Sequence, residues 1–165
     1  MNKFLLCLAF FVGSGAFAES LTAQARVLTL SAGQLSGKTG ATVCVNVSAS
    51  GMRKVISMQY SVKWDSKVLE LVEVKNYRLP GLAKDNFGTH QKALGLLTCL
   101  WIDDTLKGID LPNGSPLYQL CFRIKGKTGA SSTISFVQKP TPFESVNAYE
   151  QMMQIVGVSG KVTVL

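Results

Sequence analysis

Side chains that could carry out acid-base or nucleophilic catalysis are few in this chain of 165 residues. His90 is the single histidine, and the sequence around it, residues 88–91, has no nucleophile motif of the kind that Ser-His-Asp hydrolases use. Two acidic residues could form a carboxylate pair for glycoside hydrolysis, but nothing in their placement separates an acid from a base. The candidates for such a pair are Asp103, Asp104, Asp110 and Glu144. We therefore expect no enzymatic activity.

Oxygen ligands for a metal ion are concentrated in one predicted loop, residues 103–113. Asp103, Asp104 and Asp110 could hold calcium if the loop folded back on itself, although their spacing is not that of an EF-hand. Acidic turn residues that accept hydrogen bonds from their own backbone are the favoured alternative. A zinc site is not expected, because no two cysteines lie close together in the sequence. The sequence thus indicates no cofactor.

Residues 1–18 have the organisation of a secretory signal peptide. Lys3 precedes an apolar run at 4–12, and small residues just before Glu19 predict cleavage there. This interpretation leaves residues 19–165 as a single domain that is secreted, either extracellular or at the cell surface. No later apolar stretch approaches the roughly 20 residues of a membrane-spanning helix, so no membrane span is predicted.

Export would place the remaining cysteines, Cys44, Cys99 and Cys121, in an oxidising compartment. Three cysteines can form at most one intramolecular bridge. Cys99 alternates in step with Leu97 and Trp101, which predicts a thiol buried as a small apolar side chain. Spacing leaves open which pair, if any, is bonded.

The formal net charge of +7 would favour anionic partners if the cations were clustered. They are instead scattered singly, and the densest groups are Arg53 with Lys54 and Lys125 with Lys127. There is no basic helix or arginine-rich arm, so nucleic acid is not an expected partner.

Short segments of alternating apolar and polar residues, separated by Gly, Pro, Asn and Asp, dominate the rest of the chain. Residues 55–64 form the clearest of these segments, with polar residues on one side and apolar residues on the other. The apolar side consists of Ile56, Met58, Tyr60, Val62 and Trp64. The other predicted strands are 26–30, 41–48, 68–76, 95–102, 116–125, 131–138, 143–149 and 155–164. About nine strands without a long amphipathic helix predict an all-β domain of two packed antiparallel sheets.

Aromatic side chains could stack against sugars if they were exposed. Trp64 and Trp101 fall in step with core residues, so we expect both to pack in the interior. Tyr77, Phe87 and Tyr149 lie in less regular segments and are better candidates for an exposed contact.

Several segments together resemble the cohesin domain family. The most specific is 56–70, ISMQYSVKWDSKVLE, which contains a Trp-Asp turn followed by Val-Leu. Other segments are similar to the family in the same order: GKTG at 37–40, GLLT at 95–98, WID at 101–103, NGSPLYQLCFRI at 113–124 and GKVTV at 160–164. The resemblance covers about residues 27–165.

The resemblance implies a nine-stranded β-sandwich of jelly-roll topology. It also implies a non-catalytic module that binds dockerins, which secreted polysaccharide-degrading enzymes typically carry, through a flat sheet face that includes the third strand. The implied partner-binding residues are Ser57, Gln59, Ser61 and Lys63 of that strand, joined by Gln119 and Arg123 of the sixth. Cohesins of cellulose-degrading assemblies often have Asn and Asp at the first two positions. Ser and Gln keep the hydrogen-bonding capacity but not the carboxylate.

The expected function is therefore extracellular docking of a dockerin-type protein, with a possible link to polysaccharide degradation. Two alternatives stay open: direct carbohydrate binding by a loop or sheet face, and a structural or adhesive role at the cell surface. The polar row of residues 57–63 also has a simpler interpretation as a solvated sheet face.

Overall fold

The computed structural model describes residues 26–165, and β-strands are the main secondary structure in this range. Two single-turn 3-10 helices lie at Lys84–Asn86 and Lys92–Leu94. The twelve strands are β1 Val27–Ala32, β2 Gln34–Gly37, β3 Thr42–Ser50, β4 Val55–Lys63, β5 Leu69–Lys75, β6 Phe87–Gly88, β7 Leu96–Ile102, β8 Ser115–Ile124, β9 Ser131–Val137, β10 Glu144–Asn147, β11 Gln154–Val158 and β12 Gly160–Val164. The predicted signal peptide, residues 1–18, lies outside the described residues and stays a prediction.

The strands form two sheets that pack as a sandwich, which confirms the predicted all-β class. The five-stranded sheet has the order β11-β1-β3-β8-β5. The seven-stranded sheet has the order β2-β12-β9-β4-β7-β6, and its remaining strand, β10, pairs with β4. The prediction that all pairs are antiparallel is wrong for two of them, because β1 runs parallel to β11 and β2 runs parallel to β12.

The strand count exceeds the expected nine by three. Two of the extra strands arise because two segments cross between the sheets, and the third is the two-residue β6. The chain leaves β1 in the five-stranded sheet and enters β2 in the other sheet after Gly33, and β11 and β12 are divided in the same way. Residues 34–37 fall between the predicted strands 26–30 and 41–48, so the sequence does not predict β2. Gly160 is required where the two crossings meet, because a Cβ atom there would collide with the carbonyl oxygen of Gly33.

The core between the sheets contains the inward side chains of β4 and their partners. Tyr60 and Trp101 are fully buried and Trp64 is nearly so, which confirms the predicted packing role of both tryptophans. The Tyr60 hydroxyl lies 3.0 Å from the Tyr118 hydroxyl, so a hydrogen bond joins the two sheets inside the core. Burial raises the pKa of the neighbouring Cys99 thiol to about 12, although a hydrogen bond with Tyr60 opposes this change.

A disulfide joins Cys44 on β3 to Cys121 on β8, where the two residues are directly opposite in the ladder. This answers the question that the sequence left open, and Cys99 is the buried free thiol that its alternation predicts. The bridge lies on the outer side of the five-stranded sheet, because Val43 and Val45 on either side of Cys44 point into the sandwich.

Among residues 26–165, no helix has the length and apolar character needed to cross a membrane.

Candidate partner-binding face

The six residues implied as a partner-binding site lie on two opposite sides of the sandwich. Ser57, Gln59, Ser61 and Lys63 belong to β4 of the seven-stranded sheet, whereas Gln119 and Arg123 belong to β8 of the five-stranded sheet. The outer faces of two packed layers point in opposite directions, so one partner surface cannot cover both groups. The strands beside β4 are β7 on one edge and β9 and β10 on the other, whereas β8 pairs with β3 and β5.

Gln119 takes part in a polar ladder on the five-stranded sheet. Its Nε2 donates to Asn46 Oδ1 at 2.8 Å, and its Oε1 accepts from Asn76 Nδ2 at 2.6 Å. Arg123 is exposed on the same strand. These bonds satisfy both ends of the Gln119 amide, so its role in this structure is to connect neighbouring strands.

Ser61 is fully buried although it points to the outer side of β4. Its hydroxyl donates to the Thr141 carbonyl at 3.2 Å and accepts from the Thr141 amide at 3.0 Å. Val137 is opposite Ser61, and Glu144 is opposite Gln59. Residues 138–143 therefore form an insertion on the neighbouring edge, between the positions that pair with Ser61 and Gln59. This segment covers Ser61 and separates Lys63 from Ser57 and Gln59.

Two side chains of β7 complete the exposed part of the face and were missed in the sequence interpretation. Leu100 is 50% exposed and lies opposite Gln59, and Ile102 is 49% exposed and lies opposite Ser57. The sequence contains a signal for them, because Leu97, Cys99 and Trp101 point inward and the alternate residues must point outward. The polar row on β4 is therefore bordered by an apolar row on β7.

The opposite edge of β4 carries a second apolar pair. Val146 on β10 is opposite Ser57, and Met152 forms a bridge to Val146 and is 66% exposed. These side chains line one shallow groove. We call the whole set the β10-β4-β7 face: Ser57, Gln59, Leu100, Ile102, Glu144, Val146 and Met152.

Glu144 is the single charged residue of the β10-β4-β7 face. It is exposed, and its Oε2 accepts a hydrogen bond of 2.7 Å from Gln59 Nε2. The amide on β4 thus positions a carboxylate that comes from the neighbouring strand.

Asp103, which follows β7 directly, acts as a turn residue. Its Oδ1 accepts from the Thr105 hydroxyl at 2.8 Å and its Oδ2 accepts from the Gly108 amide at 2.9 Å. Asp110 forms an ion pair of 2.9 Å with Lys54. Within residues 26–165, no group of three or more His, Cys, Asp or Glu side chains could hold a metal ion. Two of the three carboxylates considered for calcium, those of Asp103 and Asp110, are therefore directed at separate partners.

The Asp103 turn predicts a specific dependence of stability on pH. Desolvation raises the pKa of Asp103, but the hydrogen bonds from Thr105 and Gly108 together lower it below its ordinary value of 3.8. A lowered pKa in the folded state contributes stability above the ordinary value, and this is lost as the pH falls through the folded pKa. We expect the Asp103→Asn variant to lose less stability than the wild type between neutral pH and about pH 3.

Urea unfolding at both pH values checks this expectation, with Asp104→Asn as the matched control, since Asp104 is exposed beside it. Equal acid sensitivity of the wild type and Asp103→Asn would show that the turn does not depend on the ionised carboxylate.

The aromatic candidates for sugar stacking do not form an exposed platform. Tyr77 stacks on Phe87 with ring centroids 5.9 Å apart, and Phe87 is buried against Tyr118. Of the three side chains, only that of Tyr149 is largely exposed, at 67%.

Comparison with known proteins supports the assignment of the fold. The family model described as "Cohesin domain" matches residues 28–164. No curated protein sequence matches the chain.

Solved structures with the same architecture include cohesins from bacteria and an archaeon. CaCohA2 of Clostridium acetobutylicum, in complex with CaDoc0917, has a TM-score of 0.70 at 22% identity over 84% of this chain and 99% of that chain. The OlpA cohesin in a type I cohesin-dockerin complex from Clostridium thermocellum has a TM-score of 0.70 at 16% identity, with the same coverage of 84% and 99%. A non-cellulosomal cohesin from Archaeoglobus fulgidus has a TM-score of 0.60 at 17% identity over 84% of this chain and 91% of that chain. Over residues 28–164, this chain belongs to the cohesin domain family.

Proposed function

We propose that this protein is a secreted docking module that binds a dockerin-type protein through its β10-β4-β7 face. Cohesin domains are non-catalytic protein-docking modules, so family membership accounts for the lack of a catalytic arrangement in the sequence. Secretion rests on the signal peptide predicted for residues 1–18. A link to polysaccharide degradation follows if the partner's dockerin is attached to a polysaccharide-degrading enzyme.

The observation that carries the proposal is the clustering of exposed apolar side chains on this one sheet face. Leu100, Ile102 and Met152 are each about half exposed or more, and ladder pairing connects them through Ser57 and Gln59. Single exposed apolar residues are common on protein surfaces, but a contiguous group with a few polar residues is typical of a contact surface.

Structures of related folds support a dockerin as the partner. CaCohA2 and OlpA were both solved as complexes with dockerins, and so was the sixth cohesin of scaffoldin B from Acetivibrio cellulolyticus. From the implied residue set we retain Ser57 and Gln59, and we add Leu100, Ile102, Glu144, Val146 and Met152. The other four are left out. Gln119 and Arg123 lie on the opposite sheet, Ser61 is buried, and the segment 138–143 separates Lys63 from the retained pair.

Direct carbohydrate binding has less support. Trp64 and Trp101 are enclosed in the core, and Phe87 is buried beneath Tyr77. An isolated exposed Tyr149 offers one stacking surface, whereas an extended sugar chain is held by several.

We expect the Ile102→Arg variant to lose at least about 100-fold in affinity for the dockerin-type partner, because a charged side chain would be desolvated within the apolar part of the contact. The test begins with capture of proteins from the culture medium on the immobilised domain. Captured proteins that contain a dockerin sequence are then purified and titrated calorimetrically.

Val72→Arg is the matched control, since Val72 is also β-branched and is 45% exposed, but lies on β5 of the opposite sheet. Unchanged affinity of Ile102→Arg, or an equal loss in Val72→Arg, would show that the partner does not use the β10-β4-β7 face.

A further inference from the structure

Glu144 has no cationic partner among residues 26–165. Its Oε2 accepts from Gln59, and no other hydrogen bond to its carboxylate is formed within residues 26–165. The two ion pairs in that part of the chain join Lys54 to Asp110 and Lys75 to Glu73. The carboxylate is therefore held in place but not neutralised.

Apart from Ser57 and Gln59, the side chains around Glu144 on the same face are apolar. Gln59, to which Glu144 is bonded, lies opposite Leu100 in the ladder, and Val146 and Met152 follow on the strand edge beside it. A partner that covers the whole β10-β4-β7 face also removes water from the carboxylate. Burial of an unpaired carboxylate is strongly unfavourable, whereas an opposing Lys or Arg compensates for much of that cost.

Resting on the proposed function, we infer that the bound partner places a Lys or Arg side chain against Glu144, and that this ion pair selects among dockerin-type partners. Glu144 is a specificity-determining residue in this account, and Gln59 is a positioning residue. Because Gln59 bonds Oε2, the second oxygen Oε1 stays open to a cation from the partner. The apolar side chains supply contact area, while the charge excludes partners that present Asp or Glu at this point.

A phage-displayed library of dockerin modules, randomised at exposed positions, tests this inference directly. The library is selected in parallel on the wild-type domain and on Glu144→Lys, which is an exposed substitution whose folding is verified by circular dichroism. We expect wild-type selection to enrich Lys or Arg at one module position by about 10-fold or more, and Glu144→Lys selection to enrich Asp or Glu at that same position.

Glu70→Lys is the matched control, because Glu70 is exposed on β5 of the opposite sheet. The substitution changes the net charge by the same amount as Glu144→Lys. Its selection should reproduce the wild-type pattern. A single wild-type clone should bind Glu144→Lys about 10- to 100-fold more weakly, and replacement of the clone's cation by Glu should restore that affinity. Gln59→Ala should weaken the same clone by a smaller factor.

The outcomes separate the inference from the proposed function. Clones that are blocked by Ile102→Arg but show no charge preference at any position would overturn the ion pair and leave docking through this face intact. Recovery of no clones, or of clones that Ile102→Arg does not block, would overturn both.

Discussion

Removal of the disulfide in the Cys44→Ala, Cys121→Ala double variant is expected to lower the free energy of unfolding by about 4 kcal/mol. The two cysteines are separated by 77 positions in the sequence, so the bridge closes a long loop in the unfolded chain. A cross-link of this span strongly reduces the conformational entropy of the unfolded chain. Its loss restores that entropy and so favours unfolding. The ladder between β3 and β8 extends from Thr42 to Ala49 with one bulge, so the folded state should keep its architecture without the bridge.

Urea unfolding monitored by tryptophan fluorescence measures this effect. The wild type treated with a reducing agent should unfold at the same urea concentration as the double variant. Cys99→Ala is the control, and the reducing agent should affect it as it affects the wild type, because Cys99 is not bridged. A loss below about 1 kcal/mol would mean that the bridge contributes little beyond the ladder between the two strands.

Replacement of Trp101 by Ala is expected to cost about 4 kcal/mol of stability. The indole is fully buried, and its Nε1 donates a hydrogen bond of 2.8 Å to the Pro80 carbonyl. The variant loses the free energy gained by burying the ring and leaves a cavity. It also removes the hydrogen-bond donor of the Pro80 carbonyl, which is next to the buried Leu79. Trp101 also lies between Leu100 and Ile102 on β7, so its loss should loosen the strand that presents both residues.

Denaturant unfolding of three variants checks the size of the effect and its cause. Trp101→Phe should cost less than Trp101→Ala, because an aromatic ring still fills most of the space although the hydrogen bond to Pro80 is lost. Leu106→Ala is the surface control, since Leu106 is 61% exposed, and its effect should be within about 0.5 kcal/mol. If Trp101→Ala behaved like Leu106→Ala, the indole would not be part of the core in solution.

Period-two alternation was sufficient to place most of the core. In β4 it identified Met58, Tyr60 and Val62 as inward side chains, and all three are buried to about 1% exposure or less. In β7 it identified Cys99 as a buried thiol. These predictions succeed because the direction of a side chain in a strand depends on local backbone geometry alone.

Partner-binding residues were harder to predict because a binding face combines side chains from several strands. The interpretation placed Gln119 beside β4, but β8 pairs with β3 and β5 in the other sheet. Leu100, Ile102 and Glu144 were therefore not included, although each is opposite Ser57 or Gln59 in the ladder.

Local periodicity is sufficient to predict the all-β class, the inward and outward side chains of the main strands and the burial of both tryptophans. Assembly of the two sheets establishes the neighbours of β4, the Cys44–Cys121 bridge and the covering of Ser61 by a segment centred about 80 positions away. Strand pairing depends on contacts between residues that are far apart in sequence, and alternation carries no information about which strand will be the neighbour. The position of Glu144 beside Gln59 is a result of that pairing, and it is what gives this sheet face its single charge.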